Sequence, residues 1–251
     1  MLLAAFCVLA ALVVALAVLP ASVAARFLPP QVSAQEYSGS LWHGSAAQIR
    51  VLGREAGALE WELHPAALLH LDLEAQLHWV LGGFVLDGRL TGSGHTLTLT
   101  QLEGGGPIED LHGLGVPADC HGIARVSLSM LEASLQGAAL ALRSVSGTLE
   151  VSDLVLPAVG GSADLGTYVL EVPPTTSPGT DLNGRLHDAG GLLGLEAAVR
   201  YSPQSHLGTL SGTVTPRGEL PPGLRRALDS MAALHAPDPG GGIPVDLEFT
   251  L

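Results

Sequence analysis

From residue 36 to the end of the chain, apolar residues recur at every second position. Leu71, Leu73, Ala75, Leu77, Trp79 and Leu81 alternate with Asp72, Glu74, Gln76 and His78. Leu59, Trp61 and Leu63 alternate with Glu60 and Glu62, and Leu193, Leu195, Ala197 and Val199 form a third set. Ile243, Val245, Leu247, Phe249 and Leu251 form a fourth. A period of two puts one face of a strand on a core and the other in water. Antiparallel sheets show this pattern, whereas buried parallel strands read as continuous apolar runs. Near Leu149, Val151, Leu154 and Leu156 the phase slips by one residue, as a β-bulge would cause.

The 32 Gly and 17 Pro punctuate these runs. A tripeptide Gly-x-Leu, as in Gly39-Ser40-Leu41, Gly88-Arg89-Leu90 and Gly147-Thr148-Leu149, is expected at strand starts, as are Gly184-Arg185-Leu186 and Gly208-Thr209-Leu210. Its spacing is too irregular for a solenoid and reads as successive hairpins in one long sheet. One later segment has helical spacing: Leu224, Leu228 and Met231 after Pro221-Pro222-Gly223. A short helical turn is expected after Pro65, and a turn over Asp238–Gly242.

The first 25 residues differ from the rest. Leu2 to Leu19 is an almost unbroken apolar run that ends at Pro20. At 1.5 Å per residue a helix of that length spans about 27 Å, close to a bilayer's hydrocarbon thickness. That length favours a retained anchor over a cleaved signal, whose apolar part is shorter. Val23-Ala24-Ala25 supplies small residues for a signal peptidase, which keeps cleavage open as the alternative. The expected organisation is an anchor over 1–25, a linker over 26–35 and a β domain over 36–251. A soft boundary is expected near 173–180, within a Pro- and Gly-containing loop.

Composition excludes several function classes. The net charge is −13, all 11 basic residues are Arg, and aromatics are 4%. Nucleic acid is excluded as a partner, because phosphate contacts need clustered cations and base stacking needs aromatics. Without Lys there is no P-loop, Schiff-base or Ser-x-x-Lys chemistry. Cys7 and Cys120 are too far apart to suggest a disulfide framework.

The side chains that carry chemistry are scattered. The ten His include no His-x-x-x-His pair, and His64, His70 and His78 read as strand or turn residues rather than ligands. Cys120 and His121 are neighbours on an extended chain and point to opposite faces, which a nucleophile and its base cannot do. Glu103, Glu109 and Asp110 around Gly104-Gly105-Gly106 read as a solvated loop without the spacing of a calcium site. No catalytic, metal or cofactor site is expected.

The most specific local feature is the decamer Tyr37–Ala46. It reads as the start of the first strand, with Trp42 on the core, or as a docking surface for a partner. Gly39-Ser40-Leu41-Trp42-His43-Gly44 within it resembles a Gly-Thr-Leu-Trp-x-Gly motif of the type II secretion system protein N family. Trp61-Glu62-Leu63-His64-Pro65 resembles a second feature of that family. Further on come Leu165-Gly166-Thr167-Tyr168, Gly184-Arg185-Leu186-His187-Asp188, Gly191-Leu192-Leu193 and Thr213-Val214-Thr215-Pro216, in the family's order. The chain departs from the pattern at Ser40, where Thr is commoner, and in having no basic residue before the anchor.

The resemblance implies a mainly β, non-enzymatic protein of the inner membrane with its bulk in the periplasm. Its partners would be the assembly platform and secretin of the secretion machine, and Gly39, Leu41, Trp42, Gly44 and Trp61 its docking or structural residues. A wider likeness to AsmA-like envelope proteins implies an elongated, curved antiparallel sheet. It also implies the alternative of a lipid-binding or lipid-handling protein.

Overall fold

The computed structural model describes residues 19–27, 32–70, 72–117, 119–136, 139–174, 181–205, 207–234 and 242–250. The apolar run Leu2–Leu19, apart from its last residue, lies outside the described residues, as do most of the turn over 238–242 and residues 175–180 of the expected boundary. Among the described residues no helix is long and apolar enough to cross a membrane.

The described chain is one antiparallel sheet of 14 strands. In chain order they are β1 (Val32–Gly39), β2 (His43–Val51), β3 (Arg54–Glu55), β4 (Ala58–Leu63), β5 (Asp72–Leu81), β6 (Phe84–Ser93) and β7 (Thr96–Pro107). They continue as β8 (His121–Gln136), β9 (Ala139–Val155), β10 (Tyr168–Val172), β11 (Leu182–Asp188), β12 (Leu193–Ser202), β13 (Leu207–Pro216) and β14 (Ile243–Thr250). Each strand pairs with the next in sequence; the short β3 pairs β2 off the main path, so β2 meets β4. The first strand thus begins at Val32, within the stretch 26–35. β10 and β11 pair with each other across residues 173–181.

The register explains why alternation was a good guide. Trp61 faces Leu77, Leu59 faces Trp79 and Leu63 faces Ala75, while Glu60 faces His78 and Glu62 faces Gln76. Apolar therefore meets apolar on one face, and polar meets polar on the other. The phase slip near Leu154 is a bulge: β9 advances three positions from Ser152 to Val155 while β8 advances two between Ile123 and His121, and Asp153 has φ 53°. A second bulge, not expected from sequence, lies at Gln101 (φ 53°) and shifts β7 against β6.

The apolar face is covered in patches, by short helical segments and an end hairpin. A central cluster of Phe84, Ile108, Cys120 and Ala124 sits under the 3-10 turn Ile108–Leu114. Trp79 packs edge-on to Phe84 there and donates to the Ala56 carbonyl at 2.5 Å. A second cluster joins Leu165 and Ile243 to Leu224 and Leu228 of the helix Pro222–Leu234, which follows the four-residue helix α1 (Pro157–Gly160) and is named α2. The third gathers Ala46, Ile49 and Ala56 with Tyr37 and Trp61. The helical spacing of Leu224, Leu228 and Met231 and the turn after Pro65 (Pro65–His70) are thus found as expected. The segment Ile108–Leu114 and α1 had no sequence signal.

Two expectations are corrected. Gly104-Gly105-Gly106 is not a loop but the end of β7. A Cβ on any of them would run into a backbone carbonyl, of Val85, Ala124 or Gly83, so the glycines permit close strand approach rather than a turn. Gly-x-Leu likewise does not mark strand starts in general. Gly88 and Gly147 lie inside β6 and β9, and Gly39 ends β1. Neighbouring side chains occupy the space: a Cβ on Gly88 would come within 3.0 Å of Leu102.

Candidate functional site

The decamer Tyr37–Ala46 closes a hairpin rather than opening a strand, because Gly39 leaves β1 with φ +80° and the chain reverses over Ser40, Leu41 and Trp42 into β2. A side chain at Gly39 would be strained at this φ and would meet the His43 carbonyl. The Ser40 N–H donates to the His43 carbonyl at 2.9 Å. The Ser40 hydroxyl accepts from the His43 N–H at 3.1 Å. A Thr hydroxyl at this position could accept the same bond.

Trp61 fastens the turn from β4. Its indole N–H donates to the Leu41 carbonyl at 2.9 Å. A Cβ on Gly44 would lie 2.5 Å from the Ser40 carbonyl and 2.6 Å from the Trp61 ring. Gly44 is therefore glycine so that the indole can lie on the turn. The Trp42 carbonyl accepts from the Leu63 N–H at 2.7 Å, and its side chain is half-buried in the bend rather than within a strand. Of the sequence-selected residues, the structure thus brings Gly39, Leu41, Gly44 and Trp61 into one hydrogen-bonded unit, with Trp42 at its tip.

That unit also holds the chain that leaves the apolar N-terminal run. The Leu41 N–H donates to the Leu19 carbonyl at 2.8 Å, and Pro20 forms an antiparallel bridge with Ser40. Ala21, at the start of the 3-10 turn Ala21–Phe27, is only 1% exposed. Sequence reasoning missed this contact; Pro20 and the small Ala21 gave no signal beyond ending the apolar run.

The polar face beside the turn forms an open groove of about 650 Å³. Hydrogen bonds cross it from strand to strand, His43 to Glu62 at 3.1 Å and His78 to Asp87 at 2.7 Å, all largely exposed. Such pairs contribute little to stability.

The later motifs converge on a second unit. Asp188, at the end of β11, forms a two-pronged pair with Arg217 just after β13, and its carboxylate accepts the Leu195 N–H at 2.9 Å. Thr167 and Ala189 exchange backbone bonds with Gly190 and Thr167, at 2.9 and 2.8 Å. The Tyr168 hydroxyl donates to the Leu165 carbonyl at 3.0 Å. Burial alone would raise the Asp188 pKa, but the Leu195 N–H, the Arg217 guanidinium and the Gly190 N–H outweigh it and lower the pKa. This unit was visible in the sequence only as an ordered series of motifs.

Among the described residues, Cys120 and His121 are not placed as a nucleophile and its base. The Cys120 thiol is 6% exposed, and burial, then Asp119 and Glu109, raises its pKa, the opposite of what a nucleophile needs. His121 points away to Glu109, 3.8 Å distant. Among the described residues no three His, Cys, Asp or Glu come together as a metal could use them.

No solved structure matches the chain. It is 44% identical over 66 residues to the type II secretion system protein N of Vibrio cholerae serotype O1. The matched stretch is 26% of this chain and 26% of that relative, so about a quarter of the relative's length is spanned. The family model described as type II secretion system protein N matches residues 30–246, which takes in the Trp61-fastened turn and the Asp188 unit together. The chain belongs to the type II secretion system protein N family.

Proposed function

We propose that this chain is a non-enzymatic component of type II secretion. In this reading the N-terminal apolar helix holds it in the inner membrane, and the elongated, curved sheet stands in the periplasm as a domain over 36–251. It supports export of folded proteins across the outer membrane through contacts with the assembly platform and the secretin. The observation that carries the reading is the seam between Leu19-Pro20 and Ser40-Leu41. It ties Leu19, the last residue of the apolar run, to the turn between β1 and β2, which supports a domain held close to its anchor. A protein that positions partners needs such a fixed joint, whereas an enzyme would need convergent acid, base and nucleophile.

Deleting the gene in a secreting host should leave exoproteins in the periplasm, and re-expression should release them. Unchanged secretion without the chain removes the role. A reporter active only outside the cytoplasm, fused after Leu251, tests the topology. A mature N-terminus at Arg26 would exclude the retained anchor and leave the periplasmic placement standing.

A lipid-handling role is the second reading. Leu90, Leu99 and Leu131 face one another across β6 to β8 on the apolar face and are half-buried rather than buried. Co-purification of stoichiometric phospholipid, lost when Leu90 and Leu99 become Gln, would favour it over the docking role.

A further inference from the structure

The two edges of the sheet are not alike. β1 is a defended edge: Glu36 takes φ 54° and interrupts its regular pairing, and the 3-10 turn Ala21–Phe27 lies against the strand. Bulges and covering segments are how proteins blunt an edge against further pairing. β14 has no such interruption, although α2 packs on Ile243 at its start. It pairs with β13 in unbroken register from Ile243 to Thr250, with no residue at positive φ. Among the described residues no strand pairs its other side. Pro244 removes a donor only near its start.

Ile243 and Val245 are buried, but the acidic side chains of β14 lack ion-pair partners among the described residues. Asp246 and Glu248 alternate with Leu247 and face Ser211 and Thr209 across the pair. Neither carboxylate has an ion-pair partner among the described residues, and Leu247 is 55% exposed. We propose that β14 is an acceptor edge for an extended segment of another protein, which adds as a fifteenth strand and carries basic residues alternating with apolar ones. Main-chain hydrogen bonds supply the attachment and the alternate side chains supply the selection. Basic residues opposite Asp246 and Glu248 complete cross-strand pairs, and apolar ones extend the Leu247 face. A second copy is the poorer occupant: two β14 strands paired about a twofold set Asp246 against Glu248, and the other edge is the defended β1. The inference deepens the interaction role proposed above but is tested by binding alone, so its failure leaves the secretion phenotype unaffected.

The probe is a nine-residue peptide alternating Arg and Val, titrated against the full chain in detergent by fluorescence anisotropy. It should bind, and a Glu/Val peptide should not. In the double variant Asp246→Arg, Glu248→Arg, checked for an unchanged melting temperature, the Arg/Val peptide should weaken by roughly tenfold or more and the Glu/Val peptide should bind instead. An Arg/Val peptide N-methylated at every backbone amide keeps its charges but has no strand donor on either edge, and it should not bind. Equal binding of the methylated peptide, indifference to the charge reversal, or no binding at all each overturns the proposal. So does dimerisation through β14 that excludes the peptide.

Discussion

Trp61 and Gly44 form a pair whose chemistry is separable. The indole gives the turn a ring to pack on and an N–H for the Leu41 carbonyl. Trp61→Phe keeps a ring and loses the bond, which should cost about 1 kcal/mol in a denaturant titration. Trp61→Ala loses both, and since the ring is half-buried the cost should fall below the roughly 3–5 kcal/mol of a fully buried aromatic. If the two variants are equally stable, the hydrogen bond is all that the residue contributes and the packing argument for Gly44 fails. Asp188 offers a pH test. Its pKa is lowered in the folded chain, so it contributes stability above the unfolded value of about 3.9 and loses it as pH falls through the lower folded value. Its side chain is 8% exposed but that of Arg217 is 52% exposed, so solvent screens part of this. Asp188→Asn should therefore lower the melting temperature at pH 7 and flatten its decline between about pH 5 and 2. An unchanged acid profile would mean that the Arg217 pair carries no linkage.

The strands themselves were legible because one face is wet. β4, β5, β12 and β14 alternate in sequence as they do in space, and their register sets Trp61 on Leu77 and Leu210 on Leu247. What was hidden depends on neighbours distant in sequence. Gly104-Gly105-Gly106 has turn composition, yet β6 and β8 close in on both sides, and only residues without a Cβ fit between them. The 3-10 turn Ile108–Leu114 has no helical period; it is held by Ile108 in the central cluster and by Asp110, which accepts the Gly83 N–H at 2.6 Å. The site was half legible: the glycines and tryptophans of the decamer stood out, while their bond to Leu19 did not. Gly105→Ala should separate β7 from β8, and faster exchange of the amides of both strands would show it. A variant that exchanges like the wild type would mean that the strands relax around a methyl group at no cost. The same cluster shields Cys120, so an aqueous thiol reagent should label it only on a timescale of opening, and prompt labelling in native buffer would contradict its place under Ile108.

At the scale of the molecule, each strand of the sheet pairs with the next along the chain, apart from β2 with β4, and no large side chain among the described residues is less than 2% exposed. Stability is then close to a sum of local terms, as in proteins whose units meet only the next unit along. Among the described residues three clusters, two of them sharing Leu154 and Leu156, stand in place of a single core. The one around Ala46, Ile49 and Trp61 lies at the β1 end, and the one around Leu165, Leu224 and Leu228 at the β14 end. Damage at one end should therefore stay there. In Trp61→Ala, amides of β1, β2 and β4 should exchange with deuterium much faster, while those of β11, β12 and β13 keep wild-type protection. Leu228→Ala should do the reverse, since it removes buried volume from under α2 and costs about 2–5 kcal/mol where it acts. A chain that unfolds as one cooperative unit predicts something else: both variants would accelerate exchange across all the strands by one common factor. That result would mean that the long pair β8 and β9 transmits stability from end to end, and the sheet would then act as a rigid strut rather than as two units joined through its middle.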